Sequence, residues 1–472
     1  MSGDRVKSAN IYRLLLVVLV LASFPTLAQK PVRVWLTKPD RSALFQLQEA
    51  RLAWVKTSDE KLQILANDKQ RYQSIDGFGF ALTGGSAQLL MRMGAPQRAA
   101  LLREMFASDG DNIGVSYLRV SVGASDMNDH VYSYEDLPAG QTDAGLDHFS
   151  LDADRADVIP VLKEILAIDP KMKVLASPWS APAWMKSNGK VKGGKLRPEH
   201  YSSYAAYLVK YIAGMKAEGI GIDALTIQNE PLNEKNTPSM QMLAAEEGAF
   251  IRDDLGPAFR KAGIRTKIVL YDHNCDVPEY PISILQDAAA RKYVDGSGFH
   301  LYGGKIEALS KVHEAFPEKN LYFTEQMVVD TRDDGAMKIS RPVAGIVIGA
   351  ARNWSRNVLL WNLAADPKFG PHTGDGGCPV CEGAITLDGN EVTRNLAYYT
   401  VAHASKLVRP GSVRIETNDL ESLANVAFKA PSGAHVLIVA NTGKSAQTFA
   451  VRYRGKVFVA TLQEGAVGTY VW

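Results

Sequence analysis

Two glutamates stand out by their settings. Glu230 lies in Leu225-Thr-Ile-Gln-Asn-Glu-Pro231, and Glu325 lies in Leu321-Tyr-Phe-Thr-Glu-Gln326. Each ends a short apolar run of the kind that forms a buried parallel strand. A carboxyl at each of two strand ends of one barrel is the minimum equipment for cleaving a glycosidic bond with retention. One carboxylate attacks the anomeric carbon, and the other carboxyl protonates the leaving oxygen. A single Glu after an apolar run is commonplace, so the surroundings of the pair decide.

Those surroundings form a regular pattern. From about residue 71 to 402, short apolar runs alternate with longer amphipathic stretches. Strands are predicted at 74–79, 117–122, 173–177, 224–228, 267–271, 298–301, 320–324 and 357–363, with helical patterns between them at 96–106, 156–168, 199–219 and 244–262. The alternation predicts an α/β chain whose residues 71–402 form a (β/α)8 barrel. A doubly wound open sheet is disfavoured. The Gly-rich segment Gly77-Phe-Gly-Phe-Ala-Leu-Thr-Gly-Gly85 lacks G-x-G-x-x-G spacing and an acidic residue about 20 positions on. Beyond residue 403 the runs shorten and alternate, at 413–415, 423–430, 434–440, 447–453, 457–463 and 468–472, which predicts an all-β sandwich. Residues 29–70 carry strand-like runs at 32–36 and 52–66. They are too few for a core of their own and are expected to complete that sandwich.

Residues 1–28 read as a signal peptide. Arg5, Lys7 and Arg13 precede an unbroken apolar run at 14–21, and Thr26 and Ala28 offer small side chains at a cleavage site. The run is too short to span a bilayer, so a retained anchor is the less favoured reading. The protein is expected to be exported, to the periplasm or beyond, with no stable membrane anchor. With 46% hydrophobic and 22% charged residues the composition is that of a soluble globular chain. The formal charge of +2 includes Arg5, Lys7, Arg13 and Asp4, which leave with the signal. The remainder is near neutral and offers no basic stripe to nucleic acid. Neutral small molecules or polysaccharides are the expected partners.

Cys378-Pro-Val-Cys381 could close a small loop disulfide, leaving Cys275 free and buried. A zinc site would need two more ligands, and no second CxxC or paired His supplies them. A thioredoxin-like site would need its CxxC between a strand and a helix, whereas this one follows a Gly-rich loop. No metal and no cofactor is expected.

Active sites of such barrels lie at the C-terminal ends of the strands. Arg119 and Asp126 follow the second predicted strand, Trp179 and Trp184 the third, Asn229 and Glu230 the fourth. His300 and Tyr302 follow the sixth, Glu325 the seventh, and Trp361 with Asn362 the eighth. Indoles to stack on C–H faces, short polar groups for hydroxyls, and two carboxyls are what a sugar ring asks for. Strands four and seven lie opposite each other. Retaining enzymes hold such carboxyls only about 5–5.5 Å apart, too close for an intervening water. Glu325 is then the nucleophile, kept ionised by Arg119 and Tyr302. Glu230 is the acid/base, its pKa raised by the neighbouring negative charge. Asn229 would bond the 2-hydroxyl. Arg119, on a barrel strand, needs a carboxylate partner, and Glu325 or Asp126 is within reach.

The chain resembles glycoside hydrolase family 30, the glucosylceramidase and β-1,6-glucanase family with its glutamates on strands four and seven. The matching segments are Gln73-Ser-Ile-Asp-Gly-Phe-Gly79, Leu118-Arg-Val120, Ser125-Asp126, Ala176-Ser-Pro-Trp-Ser-Ala-Pro-Ala-Trp-Met-Lys-Ser-Asn-Gly189, Asn229-Glu-Pro231, Phe299-His300, Thr324-Glu325 and Trp361-Asn-Leu363. The resemblance implies a barrel with an attached β-sandwich, Glu230 as acid/base and Glu325 as nucleophile. It also implies a sugar subsite lined by Asp126, Trp179, Asn229, His300, Tyr302 and Trp361. Leu301 stands where animal glucosylceramidases carry an aromatic. The loop Gly374-Asp-Gly-Gly-Cys-Pro-Val-Cys381 resembles bacterial and fungal members, some of which are β-1,6-glucanases.

Blander readings stand beside these. Trp179 and Trp184 could be loop core, His300 a satisfied core histidine, and Asp129, Glu135, Asp136 and the loop 186–195 solvated surface. His130, His273 and His372 are scattered. The main expectation is a retaining, glucosylceramidase-like β-glycosidase. The alternative is a secreted endo- or exo-β-1,6-glucanase, and the remote one a carbohydrate-binding protein without catalysis.

Overall fold

Eight parallel strands close into a barrel: Gly77–Leu82, Tyr117–Val122, Lys173–Pro178, Ala224–Thr226, Lys267–Cys275, Val294–Gly304, Asn320–Glu325 and Ser355–Leu360, in that order, with the eighth pairing back to the first through Asn357 opposite Gly77. The structure, a computed structural model, describes residues 1, 3, 30–330 and 335–472. Apart from Met1 and Gly3, the predicted signal segment lies outside the described residues. Barrel and sandwich together make up one unit, Pro31–Trp472.

The expected strand positions hold, with instructive shifts. Ser74 belongs not to the first barrel strand but to the end of a long sandwich strand, Gln63–Ser74. The sixth strand runs well beyond 298–301, through Gly296 on one side and Gly303 and Gly304 on the other. Gly79 in the first strand and Gly296 in the sixth permit close approach, since a Cβ would stand 1.8 Å from the Tyr117 carbonyl oxygen or 2.0 Å from that of Asn320. The stretch 244–262 is helical throughout, but a π-turn at Ile251–Leu255 separates Ala244–Phe250 from Gly256–Ala262.

Barrel strands are buried on both faces, helices outside and side chains within. Tyr117, Leu175, Ala224, Val269, Tyr322 and Leu359 fill the interior as one packed cluster. They form a floor, and the polar residues stand above it. Truncating one of the larger of these to Ala would cost about 2–5 kcal/mol.

The β-rich remainder is a nine-stranded sheet folded into a sandwich. Its order is Lys456–Leu462, Gln447–Tyr453, Gln63–Ser74, Val413–Thr417, Leu423–Lys429, His435–Asn441, Val467–Val471, Arg33–Thr37 and Gln46–Leu47. Ile64, Leu437, Phe449, Val451, Phe458 and Tyr470 belong to its inner core. The N-terminal segment thus completes the C-terminal sandwich, as expected. Alternate residues such as Phe428, Val436 and Ile438 face the barrel instead and join its outer core.

His403 fastens these parts together. It sits on helix Leu396–Ser405, buried, with Nδ1 2.9 Å from Thr469 Oγ1 and Nε2 2.8 Å from Thr37 Oγ1. Burial pulls its pKa down to about 3, so the folded protein holds it neutral. Its stabilising contribution is complete above the unfolded value of about 6.5 and is lost as pH falls from there toward 3, at up to about 1.4 kcal/mol per unit. His403→Gln should therefore lower the urea midpoint at pH 7 and flatten its fall between pH 6.5 and 4. An unchanged slope would assign the acid sensitivity to other groups.

Candidate active site

Period-two alternation carries polar groups above the floor. Tyr117 is followed on the same face by Arg119, Leu175 by Ser177 and then Trp179, Ala224 by Thr226, and Leu359 by Trp361. Two residues reach the interior by breaking the alternation. A register shift between Phe323 and Glu325 turns Glu325 inward. A second shift between Tyr271 and His273, with φ of 72° at Tyr271 and 50° at Asp272, does the same for Asp272.

Arg119 is the hub. It is fully buried and donates to Glu325 Oε2, to Asp272 Oδ2 at 2.8 Å, to Asn229 Oδ1 at 2.7 Å and to Ser177 Oγ at 3.0 Å. Its guanidinium also lies 4.7 Å from the ring centre of Trp179. Of the two carboxylates expected to pair with it, Glu325 does and Asp126 does not; Asp272 takes that place. Thr226 and Ser177 donate to the same Asp272 oxygen at 2.7 and 3.1 Å.

The glutamates come together across the barrel mouth. Glu230 adopts φ 46°, and its N–H donates to Asp272 O at 3.0 Å, which fixes the strained turn. One oxygen of Glu230, one of Glu325 and a ring nitrogen of His300 lie within 4.8 Å of one another. His300 is 3.1 Å from Glu230 Oε1 and 3.8 Å from Glu325 Oε1 through Nδ1, while Nε2 is 3.1 Å from Asp272 Oδ1. Asn233 donates to Glu230 Oε2 at 2.6 Å, and the Tyr302 hydroxyl to Glu325 Oε1 at 3.0 Å.

The imidazole reverses the expected titration order. Burial opposes a charge on His300, but Glu325, Asp272 and Glu230 outweigh it and raise its pKa to about 9. Burial would raise Glu230, yet its bonds to His300 and Asn233 hold it down at about 2. Glu325 is pushed up, burial exceeding the pull of His300 and Arg119. Two carboxylates alone suggested the opposite order. The cation between them lies nearer to Glu230, and that decides it. Asp126 is raised to about 8 by burial and by Glu325 and Glu230.

This has a pH consequence. In His300→Gln the imidazolium is gone, so burial and the Glu325 charge dominate and the Glu230 pKa rises. The proton shared by the two groups then sits on Glu230 itself, not on an imidazole that releases it near 9. The alkaline limb of kcat/KM should move to lower pH by about one unit or more. A limb that stays put would assign the proton to another group.

A cavity of about 550 Å³ opens over the pair. Asp126, Trp179, Asn229, Glu230, Tyr302, Glu325 and Trp361 line it, and His300 lies fully buried beneath. Trp179 and Trp361 stack with ring centres 5.4 Å apart. Asp126 Oδ1 and Trp179 Nε1 are buried without a hydrogen-bond partner among the described residues. Cys378 and Cys381 form the disulfide at the rim, and Cys275 is free and buried.

Other expectations are corrected. Trp184 does not reach the cavity; it packs on His200 and donates to the Glu135 carbonyl at 3.1 Å. Asn362 points away, accepting from Thr83 and Ser86 at 2.9 and 2.7 Å. Glu135 is buried, not solvated. So is Lys186, which donates to Ser180 Oγ, Val191 O and Ser239 O at 2.8, 3.0 and 2.7 Å; burial lowers its pKa to about 7. Sequence reasoning missed Asp272, Asn233 and His273, the latter two on the cavity wall. An acidic residue at the end of the fifth strand was the available signal for Asp272.

Residues 75–408 match the glycosyl hydrolase family 30 TIM-barrel domain, and residues 411–470 match its beta sandwich domain. The chain belongs to glycosyl hydrolase family 30. An endo-1,6-beta-D-glucanase of Neurospora crassa is 34% identical over 87% of this chain and 88% of its own. The solved structure of an endo-beta1,6-glucanase is 33% identical with a TM-score of 0.86, covering 94% of this chain and 99% of that one. The lysosomal acid glucosylceramidase of Mus musculus is 27% identical over 87% of this chain and 83% of its own. This family 30 member is therefore a glycoside hydrolase, and its substrate is a carbohydrate. Among the described residues no helix is long and apolar enough to cross a membrane.

Proposed function

We propose that this hydrolase cleaves β-1,6-glucan with retention, Glu325 as nucleophile and Glu230 as acid/base. The approach of their oxygens to within 4.8 Å carries the retaining part. In the first step Glu325 attacks the anomeric carbon from one face while the glycosidic oxygen takes a proton from Glu230. His300, 3.1 Å from Glu230, holds that proton in the empty site and passes it across. Charge at Glu325 then vanishes into the glycosyl ester, and Glu230 takes a proton from the water that hydrolyses it. Asp126, Trp179, Asn229, Tyr302 and Trp361 hold the sugar.

The glucan reading replaces the glucosylceramidase-like one first expected. It is supported by the named activity of the relatives above and by the wall beyond the glutamates. Asn233, Lys235 and Asn236 stand there with the loop carrying Gly376 and Cys378. Amide and amine groups suit the hydroxyls of a second sugar better than the methylenes of a lipid. Export through the segment 1–28 belongs to the same proposal. The test is hydrolysis of a linear β-1,6-glucan against glucosylceramide and aryl β-glucosides. Glucan turnover at least about 10-fold above glucosylceramide is expected, and the reverse order would overturn the assignment.

A further inference from the structure

The long segment after the second barrel strand brings Glu135, Asp143 and His148 together. One ligating atom of each lies within 4.8 Å of the other two. Glu135 is 1% exposed, and neither of its carboxylate oxygens has a hydrogen-bond partner among the described residues. A carboxylate stripped of water with no donor in exchange is costly, so a native protein seldom keeps one without a cation or proton to meet it. Here Asp143, a second carboxylate of the same group, adds to the cost. Asp143 is itself aimed by the N–H groups of Gly145, Asp147 and His148, at 3.1, 2.6 and 3.2 Å.

We propose that Glu135, Asp143 and His148 bind a divalent cation, zinc by their chemistry. His148 Nδ1 is 2.8 Å from Asp143 Oδ2 and 3.9 Å from Glu135 Oε1. Tetrahedral zinc with bonds of about 2.0–2.2 Å separates its ligands by about 3.3–3.5 Å, between those two values. Two carboxylates balance the charge of the ion, and water takes the fourth position. Calcium would want six or more oxygens and has little use for an imidazole. The His148 side chain is 70% exposed, which gives the ion a way in. Once bound, the cation pins residues 143–148 to Glu135, whose carbonyl already accepts from Trp184. It thereby closes the segment after the second barrel strand on itself, as a structural clip within the stretch that also carries Asp126.

The test uses the untagged chain stripped with EDTA and titrated calorimetrically with zinc chloride. One equivalent should bind with a micromolar or tighter Kd and raise Tm by a few degrees. His148→Ala, an exposed position that spares the fold, and Glu135→Gln should each weaken binding at least about 10-fold. Glu325→Gln should bind zinc as the wild type does, which separates this site from the Glu230, His300 and Glu325 group. Failure to bind one equivalent, preference for calcium, or a site surviving in both His148→Ala and Glu135→Gln would overturn the proposal.

Discussion

Glu325→Gln should lower kcat on an aryl β-glucoside by about 10⁴-fold or more, because no other group can form the glycosyl ester. Glu230→Ala should behave differently. General acid catalysis is worth about 10²–10⁴-fold, and a phenolate with a low pKa leaves with little help. The first step should therefore persist on activated substrates, with a burst as the ester accumulates. A small anionic nucleophile such as azide needs no base, so it should restore turnover in Glu230→Ala and form the β-glycosyl azide. Equal losses in both variants on every substrate, with no rescue by azide, would refute the division of roles.

Arg119→Met should have the second largest effect, and on two readouts at once. Asp272 and Glu325 would remain buried in the barrel with only His300 to balance them. Removing one partner of a buried ion pair costs about 3–5 kcal/mol. The urea midpoint should fall accordingly. Activity should drop about 10²–10³-fold, because Glu325, already raised by burial, would rise further and be ionised in fewer molecules at neutral pH. Arg119→Lys keeps a charge but reaches only part of the Asp272, Glu325 and Asn229 set, so it should recover stability more than rate. A methionine variant as stable as the wild type would remove the hub from the account of the fold.

The barrel was legible because its strands are buried on both faces and read as apolar runs, and the alternating tail marked the sandwich. Strand ends then named the two glutamates, Asn229, Trp179 and Trp361. What stayed hidden depends on departures from periodicity. Asp272 enters through a register shift and two positive φ angles, which no apolar pattern records. Without Asp272 the second partner of Arg119 could not be named. Nor could one foresee that His300 would be held between Asp272 and Glu230. Lys186 and Glu135 looked like solvated charge because burial by a folded-back loop leaves no local mark in composition. The wall beyond the glutamates is built by loops that only tertiary contact brings together.

The sandwich sheet has a temporal side. Arg33–Thr37 lies between Val467–Val471 and the short strand Gln46–Leu47, pairing residue for residue from Arg33 opposite Val471 to Thr37 opposite Val467. A strand made before the barrel must wait, one edge bare, for a strand made after it. The barrel can close while the ribosome is still at work, but this sheet cannot. Val467–Val471 therefore acts as a latch, and the sheet stays open at Arg33–Thr37 until that strand has been made.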